Sequence, residues 1–189
     1  MKNDATDPDA LTVISFQKNH DRRSFDMLYE KYKDGIFNYC CRFLGDDDEA
    51  ADCTQEVFIR MFRFIDTFRF RSRFSTWLFR IAINQCNSTA VLRSRRQSGQ
   101  PVELAERVRE PSPDPATALS AKEAENAFQE ALMKLKEVQR SMIILRDLEG
   151  KSYEEIAMIR DMNPGTVRST LARARYKMAE YLNIYRNGM

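Results

Sequence analysis

The sequence holds one histidine, His20, and four cysteines, Cys40, Cys41, Cys53 and Cys86, none of which forms a CxxC pair. Neither the spacing of a zinc site nor that of a disulfide framework is present, so no metal and no cofactor is expected. The cysteines read instead as free thiols that behave as small buried hydrophobes on helices. Long hydrophobic runs are missing too. The N-terminal stretch MKNDATDPDALTVI has no apolar core of signal-peptide length, and no later segment approaches the ~18 apolar residues of a membrane span. These absences predict a soluble, cytoplasmic protein without membrane insertion. Strand-like alternation is nearly absent, and no internal repeat is visible.

What is present is charge, unevenly placed. Between Arg60 and Arg96 stand nine arginines against one acid, Asp66, a local charge of +8, whereas Asp46 to Glu56 carries six acids and no base. One face should attract a polyanion and another repel it. Four of the six prolines fall within residues 97–119, QSGQPVELAERVREPSPDPATAL, which reads as an extended linker with a short, weakly helical middle. Before it, Arg22 to Phe43 reads as a helix pair, Asp46 to Phe64 as a longer amphipathic helix and Thr76 to Arg93 as another. After it, Ser120 to about Tyr185 reads as four helices. The expected fold is all-α: two small helical domains, 1–96 and 120–189, joined by a flexible linker, 97–119.

The second block carries a sharp local signal. In KSYEEIAMIRDMNPGTVRSTLARARYKMAEYL, Ser152 precedes Glu155 by three residues, a capping box before an apolar run. A turn follows at Arg160 to Met162. Asn163 then caps a helix whose first residue is Pro164, where a missing N–H costs nothing. Val167, Leu171, Ala174, Met178 and Leu182 form its apolar stripe, and Thr166, Ser169, Ala172, Arg173 and Tyr176 lie opposite. This is the pattern of a helix-turn-helix that offers short polar and cationic side chains to a DNA major groove.

In the first block, DCTQEVFIRMF puts Asp52, Gln55, Glu56, Ile59 and Arg63 on one helix face and Val57, Phe58, Met61 and Ile65 on the other. By itself that is a half-buried helix with an acidic outer stripe. Together with FSTWLFRIAIN, LRDLEGKSYEEIA and GTVRS, in that order, it closely resembles the bacterial sigma factors of the extracytoplasmic-function (ECF) group. The resemblance covers about Ser24 to Arg96 and Ala127 to Leu182.

The resemblance implies a non-enzymatic protein that binds core RNA polymerase and directs promoter recognition. Asp52, Gln55, Glu56 and Phe58 match the motif that docks on the β′ clamp helices, with the β subunit as a further polymerase partner. Residues 67–73, TFRFRSR, with Arg69, Arg71 and Arg73, match the loop that takes an unstacked promoter base. Trp77, Arg80, Asn84, Asn87 and Ser88 lie on the helix that reads the -10 element, an offer of cations, amides and an aromatic ring that suits melted DNA. Thr166, Arg168, Ser169, Ala172, Arg173 and Tyr176 are implied to read the -35 element. The linker, with four acids and two bases, is implied to thread the polymerase cleft, and an anti-sigma factor is the implied regulator. Four positions depart from the family pattern. Ser88 stands where Asp or Asn is usual, and Thr170 where a basic residue is common. Arg160 and Asp161 hold turn positions usually given to an apolar residue and glycine. A free-standing helix-turn-helix regulator would need only the second block, and a helical interaction module would leave the +8 segment as a solubility feature.

Overall fold

The computed structural model describes residues 7–97 and 115–187, with side chains described for 7–96 and 122–182. Every regular element among them is helical, and none is long and apolar enough to cross a membrane. The first bundle comprises α1 (Ala10–Asn19), α2 (Arg22–Leu44), α3 (Asp47–Phe64), a 3₁₀ turn at Ile65–Thr67 and α4 (Phe74–Gln97). The second comprises α5 (Pro115–Lys134), α6 (Glu137–Ile143) with a π turn at Ile144–Leu148, α7 (Tyr153–Arg160) and α8 (Pro164–Asn187). Most of the linker, residues 98–114, lies outside the described residues.

Local chemistry sets the helix ends. Asp21 Oδ1 accepts the N–H of Ser24 at 2.8 Å to start α2, and Gly45, at φ 71°, ends it in the left-handed conformation that a side chain would strain. Asp46 Oδ1 accepts the N–H groups of Asp48 and Glu49 to start α3, and three acids in the first turn favour its dipole. The cap of α4 comes from far away: Asp7 Oδ2 accepts the Phe74 N–H at 2.7 Å. Two elements differ from the sequence reading. Arg22–Leu44 is one helix rather than a pair, because Ile36, Tyr39, Cys40 and Phe43 continue the buried stripe of Ser24 and Leu28 past Gly35. An unexpected helix, α1, precedes it, with Val13 and Phe16 buried and the Gln17 amide bound to the carbonyls of Ile65 and Phe68 at 2.8 and 2.9 Å. Tertiary contacts hold this short helix, whose own apolar pattern is weak.

The two bundles share one continuous buried core. Tyr39 of α2 donates to Ser141 Oγ of α6 at 2.9 Å, with both residues fully buried. The Arg140 guanidinium donates to the carbonyls of Leu132, Met133 and Leu135 at the end of α5 and to that of Phe43 at the end of α2. It thus caps one helix in each bundle with a single charge. Gln129 donates to the Arg42 carbonyl at 3.1 Å, and Arg42 pairs with Glu125.

Candidate functional site

The helix-turn-helix has the geometry its sequence announces. Ser152 Oγ accepts the Glu155 N–H while the Glu155 carboxylate accepts the Ser152 N–H at 2.8 Å, a complete capping box. Burial pushes the Glu155 carboxyl up, but its Ser152 hydrogen bonds, with Lys151 and Arg73 nearby, hold it below the ordinary value. Asp161 ends α7 at φ 52°, ψ 53°, and its N–H reaches the Ala157 carbonyl, so an aspartate fills the left-handed site where glycine is usual. Asn163 Oδ1 accepts the Gly165 N–H at 2.8 Å ahead of Pro164. On α8, Val167, Leu171, Ala174 and Met178 are buried, and Thr166, Arg168, Ser169, Ala172, Arg173 and Tyr176 are all exposed. Thr170, at the position where a basic residue is common, points to the core at 9% exposure. A charge there would have to be desolvated.

On α3, Asp52, Gln55, Ile59 and Arg63 are exposed, and Glu56 is half-buried, paired to Arg60 at 2.9 Å. Phe58 does not project: it is 3% exposed, its ring set edge-on against Tyr29 at 4.7 Å. It forms the floor of an open apolar groove between α2 and α3, whose walls include Tyr29, Phe37, Ile59 and Phe62. The sequence reading did not single out Tyr29, Phe37 and Phe62, although each is a large apolar group left at least partly exposed. The available signal was aromatic residues recurring on the outward side of α2 and α3, which is legible only once the two helices are paired.

Along α4, Arg69, Arg71 and Arg73 stand exposed on the preceding loop. Phe68 anchors that loop, 5.4 Å from the Trp77 ring and 4.9 Å from Phe70, which holds φ 54°. Trp77 is partly buried in this aromatic cluster. Arg80, Asn84 and Ser88 are exposed, Ser88 bonding back to the Asn84 carbonyl, while the Asn87 Oδ1 is buried without a hydrogen-bond partner. The second bundle lies directly against this segment. Arg80 donates to the Met158 carbonyl of α7, Arg73 approaches Glu155 at 3.5 Å, and the Lys151 ammonium sits 4.5 Å over the Phe79 ring. Two of the arginines expected to meet nucleic acid are therefore engaged by the helix-turn-helix unit.

An arginine-rich helical bundle joined to an exposed helix-turn-helix face defines a DNA-binding transcription protein. Comparison with known proteins sharpens this. The Sigma-70 region 2 model matches residues 28–97, and the Sigma-70, region 4 model matches residues 125–178. The RNA polymerase sigma-H factor of Pseudomonas aeruginosa is 37% identical over 162 residues, covering 82% of this chain and 84% of that one. The ECF RNA polymerase sigma-E factor of Escherichia coli K12 is 35% identical over 175 residues, covering 88% and 90%. Among solved structures, CnrH in complex with the cytosolic domain of CnrY matches with a TM-score of 0.70 at 20% identity, covering 93% of this chain and 97% of that chain, a likeness of fold. The sigma factor RpoE in complex with the anti-sigma factor NepR, from Bartonella quintana, matches with a TM-score of 0.68 at 25% identity, covering 86% and 98%. The chain belongs to the sigma-70 family of RNA polymerase sigma factors, in its ECF group, and directs promoter recognition in transcription initiation.

Proposed function

We propose that the first bundle docks on the β′ clamp helices of core polymerase through the α2/α3 groove and the acidic stripe beside it. Asp52, Gln55 and Glu56 supply charge-assisted hydrogen bonds to a basic partner, and Tyr29, Ile59 and Phe62 supply the apolar contact, with Phe58 supporting them from below. The loop of Arg69, Arg71 and Arg73 and the α4 face of Arg80 and Asn84 take the separated -10 strand. The exposed face of α8 reads the -35 element as duplex, and the linker threads the polymerase cleft. In this reading the protein is cytoplasmic, catalyses no reaction and is held by an anti-sigma factor, as the solved relative bound to NepR supports.

The observation that carries the proposal is the division of labour between the two arginine-bearing faces. The α8 face is open as it stands, whereas Arg73 and Arg80, though exposed, each make a contact to α7, Arg73 to Glu155 and Arg80 to the Met158 carbonyl. In this reading the α8 face meets duplex and the α4 face meets separated strands. Permanganate reactivity of promoter thymines, with core polymerase present, tests this. Holoenzyme carrying Arg80→Ala with Asn84→Ala binds promoter but leaves the -10 thymines unreactive, because amide and stacking contacts need strand-separated bases. Normal reactivity with the double variant would make α4 scaffold and overturn the assignment.

A further inference from the structure

Three cysteines from three different helices meet in the core of the first bundle. Cys86 Sγ of α4 lies 3.5 Å from Cys53 Sγ of α3 and 3.5 Å from Cys40 Sγ of α2, and all three sulfurs fall within 4.8 Å of one another. All are free, at 2% exposure or less. We propose that Cys40, Cys53 and Cys86 form a binding site for one thiophilic divalent cation of the zinc class.

Geometry favours an ion over the alternatives. Thiolates about 2.3 Å from a zinc ion at tetrahedral angles stand about 3.8 Å apart, close to the separations already present. A disulfide would need two sulfurs to close to about 2.05 Å and would leave the third sulfur without a purpose. Three packed aliphatic side chains would fill the same space without placing three sulfurs in mutual contact. The approach to the cluster also suits a cation. Cys53 lines a groove between α3 and α4 whose rim carries Asp46, Glu49, Asp52 and Glu56. Gln85 lines the same groove, and its Oε1 is buried with no hydrogen-bond partner, an unsatisfied oxygen on the approach to Cys53. Full coordination forms three metal–sulfur bonds and releases three protons. The site then carries one net negative charge, with Arg60 acting on Cys53 and Arg93 and Arg96 in the groove as nearby cations. Occupancy would pin α2, α3 and α4 together directly beneath the Asp52 and Glu56 stripe.

The test uses the full chain, reduced with a non-chelating phosphine and stripped of metal. Titration with cobalt(II) is expected to give one equivalent bound with thiolate-to-cobalt charge-transfer absorption, displaced by one equivalent of zinc(II), and zinc is expected to raise the thermal midpoint. Cys40→Ser, Cys53→Ser and Cys86→Ser each weaken binding by about 100-fold or more, while Cys41→Ser, outside the cluster, leaves it unchanged. Because a core serine can unfold the bundle, helicity by circular dichroism accompanies each variant, and Cys53→Ala at the groove edge serves as the second variant. A reduced wild-type chain without thiolate charge-transfer bands would overturn the proposal. So would binding that survives Cys53→Ala, which would mark an adventitious surface site. So would mild oxidation that joins Cys53 to Cys86 in a chain that takes up no metal.

Discussion

At the scale of single residues, the side chain with the most to lose is Arg140. Burial pulls its pKa below the usual arginine value, yet a guanidinium stays protonated at neutral pH, so a full charge sits in the core on four main-chain carbonyls. Its stacking on the Phe43 ring at 5.3 Å adds to the fit. Arg140→Met leaves those carbonyls desolvated and unpaired and should cost about 3–5 kcal/mol in urea unfolding. Arg140→Lys should recover only part of this, since one ammonium cannot span carbonyls presented from two helix ends. A lysine variant as stable as wild type would show that charge alone matters there. No motif marks this residue in the sequence: its partners lie on two helices, one of them almost a hundred positions away.

At the scale of elements, α7 is eight residues long and depends on its ends. Ser152→Ala removes the hydroxyl that accepts the Glu155 N–H and should lower stability by ~1 kcal/mol. The Glu155 carboxylate gives the effect a pH dependence. Its folded pKa lies below the ordinary 4.5, so its contribution is fully present above that value and is lost as pH falls through the folded one. The stability gap between wild type and Glu155→Ala should therefore be constant near neutrality and shrink as the pH falls below 4.5. A gap that grows on acidification would contradict the capping-box origin. The helix-turn-helix was readable in advance because every signal in it is local: a cap three residues from its partner, a left-handed turn residue and Asn-Pro at a helix start. α1 was not readable, since its hold on the bundle runs through Gln17 to carbonyls some fifty residues on.

At the scale of the whole molecule, the packing of the two bundles sets α7 against Arg73 and Arg80 of the proposed -10 face. Tyr39 to Ser141 and Gln129 to the Arg42 carbonyl also tie the bundles together, through residues outside the proposed DNA contacts. Loosening them should raise the population in which Arg73 and Arg80 are free, and apparent affinity scales with that population. Tyr39→Phe combined with Gln129→Ala, which leaves both arginines intact, should bind single-stranded non-template -10 DNA about 10-fold more tightly than wild type in fluorescence anisotropy. Equal affinities would mean that the packing of α4 against α7 does not limit access.

The sequence by itself determined the helical class, the helix-turn-helix, the segregation of acid on α3 from arginine around α4, and the family, because each is written in residues close together along the chain or in motifs whose order suffices. Tertiary structure alone decided that Phe58 is a groove floor beneath exposed Tyr29 and Phe62, that Arg80 is held by a carbonyl of the other bundle, and that cysteines in no metal-binding spacing converge. The physical reason is common to all three. Helix periodicity states which side of a helix is apolar, but which helix it meets, and at what rotation, is settled by interlocking side chains from elements far apart in sequence. Cys40, Cys53 and Cys86 become neighbours only because α2, α3 and α4 turn their buried faces toward one another.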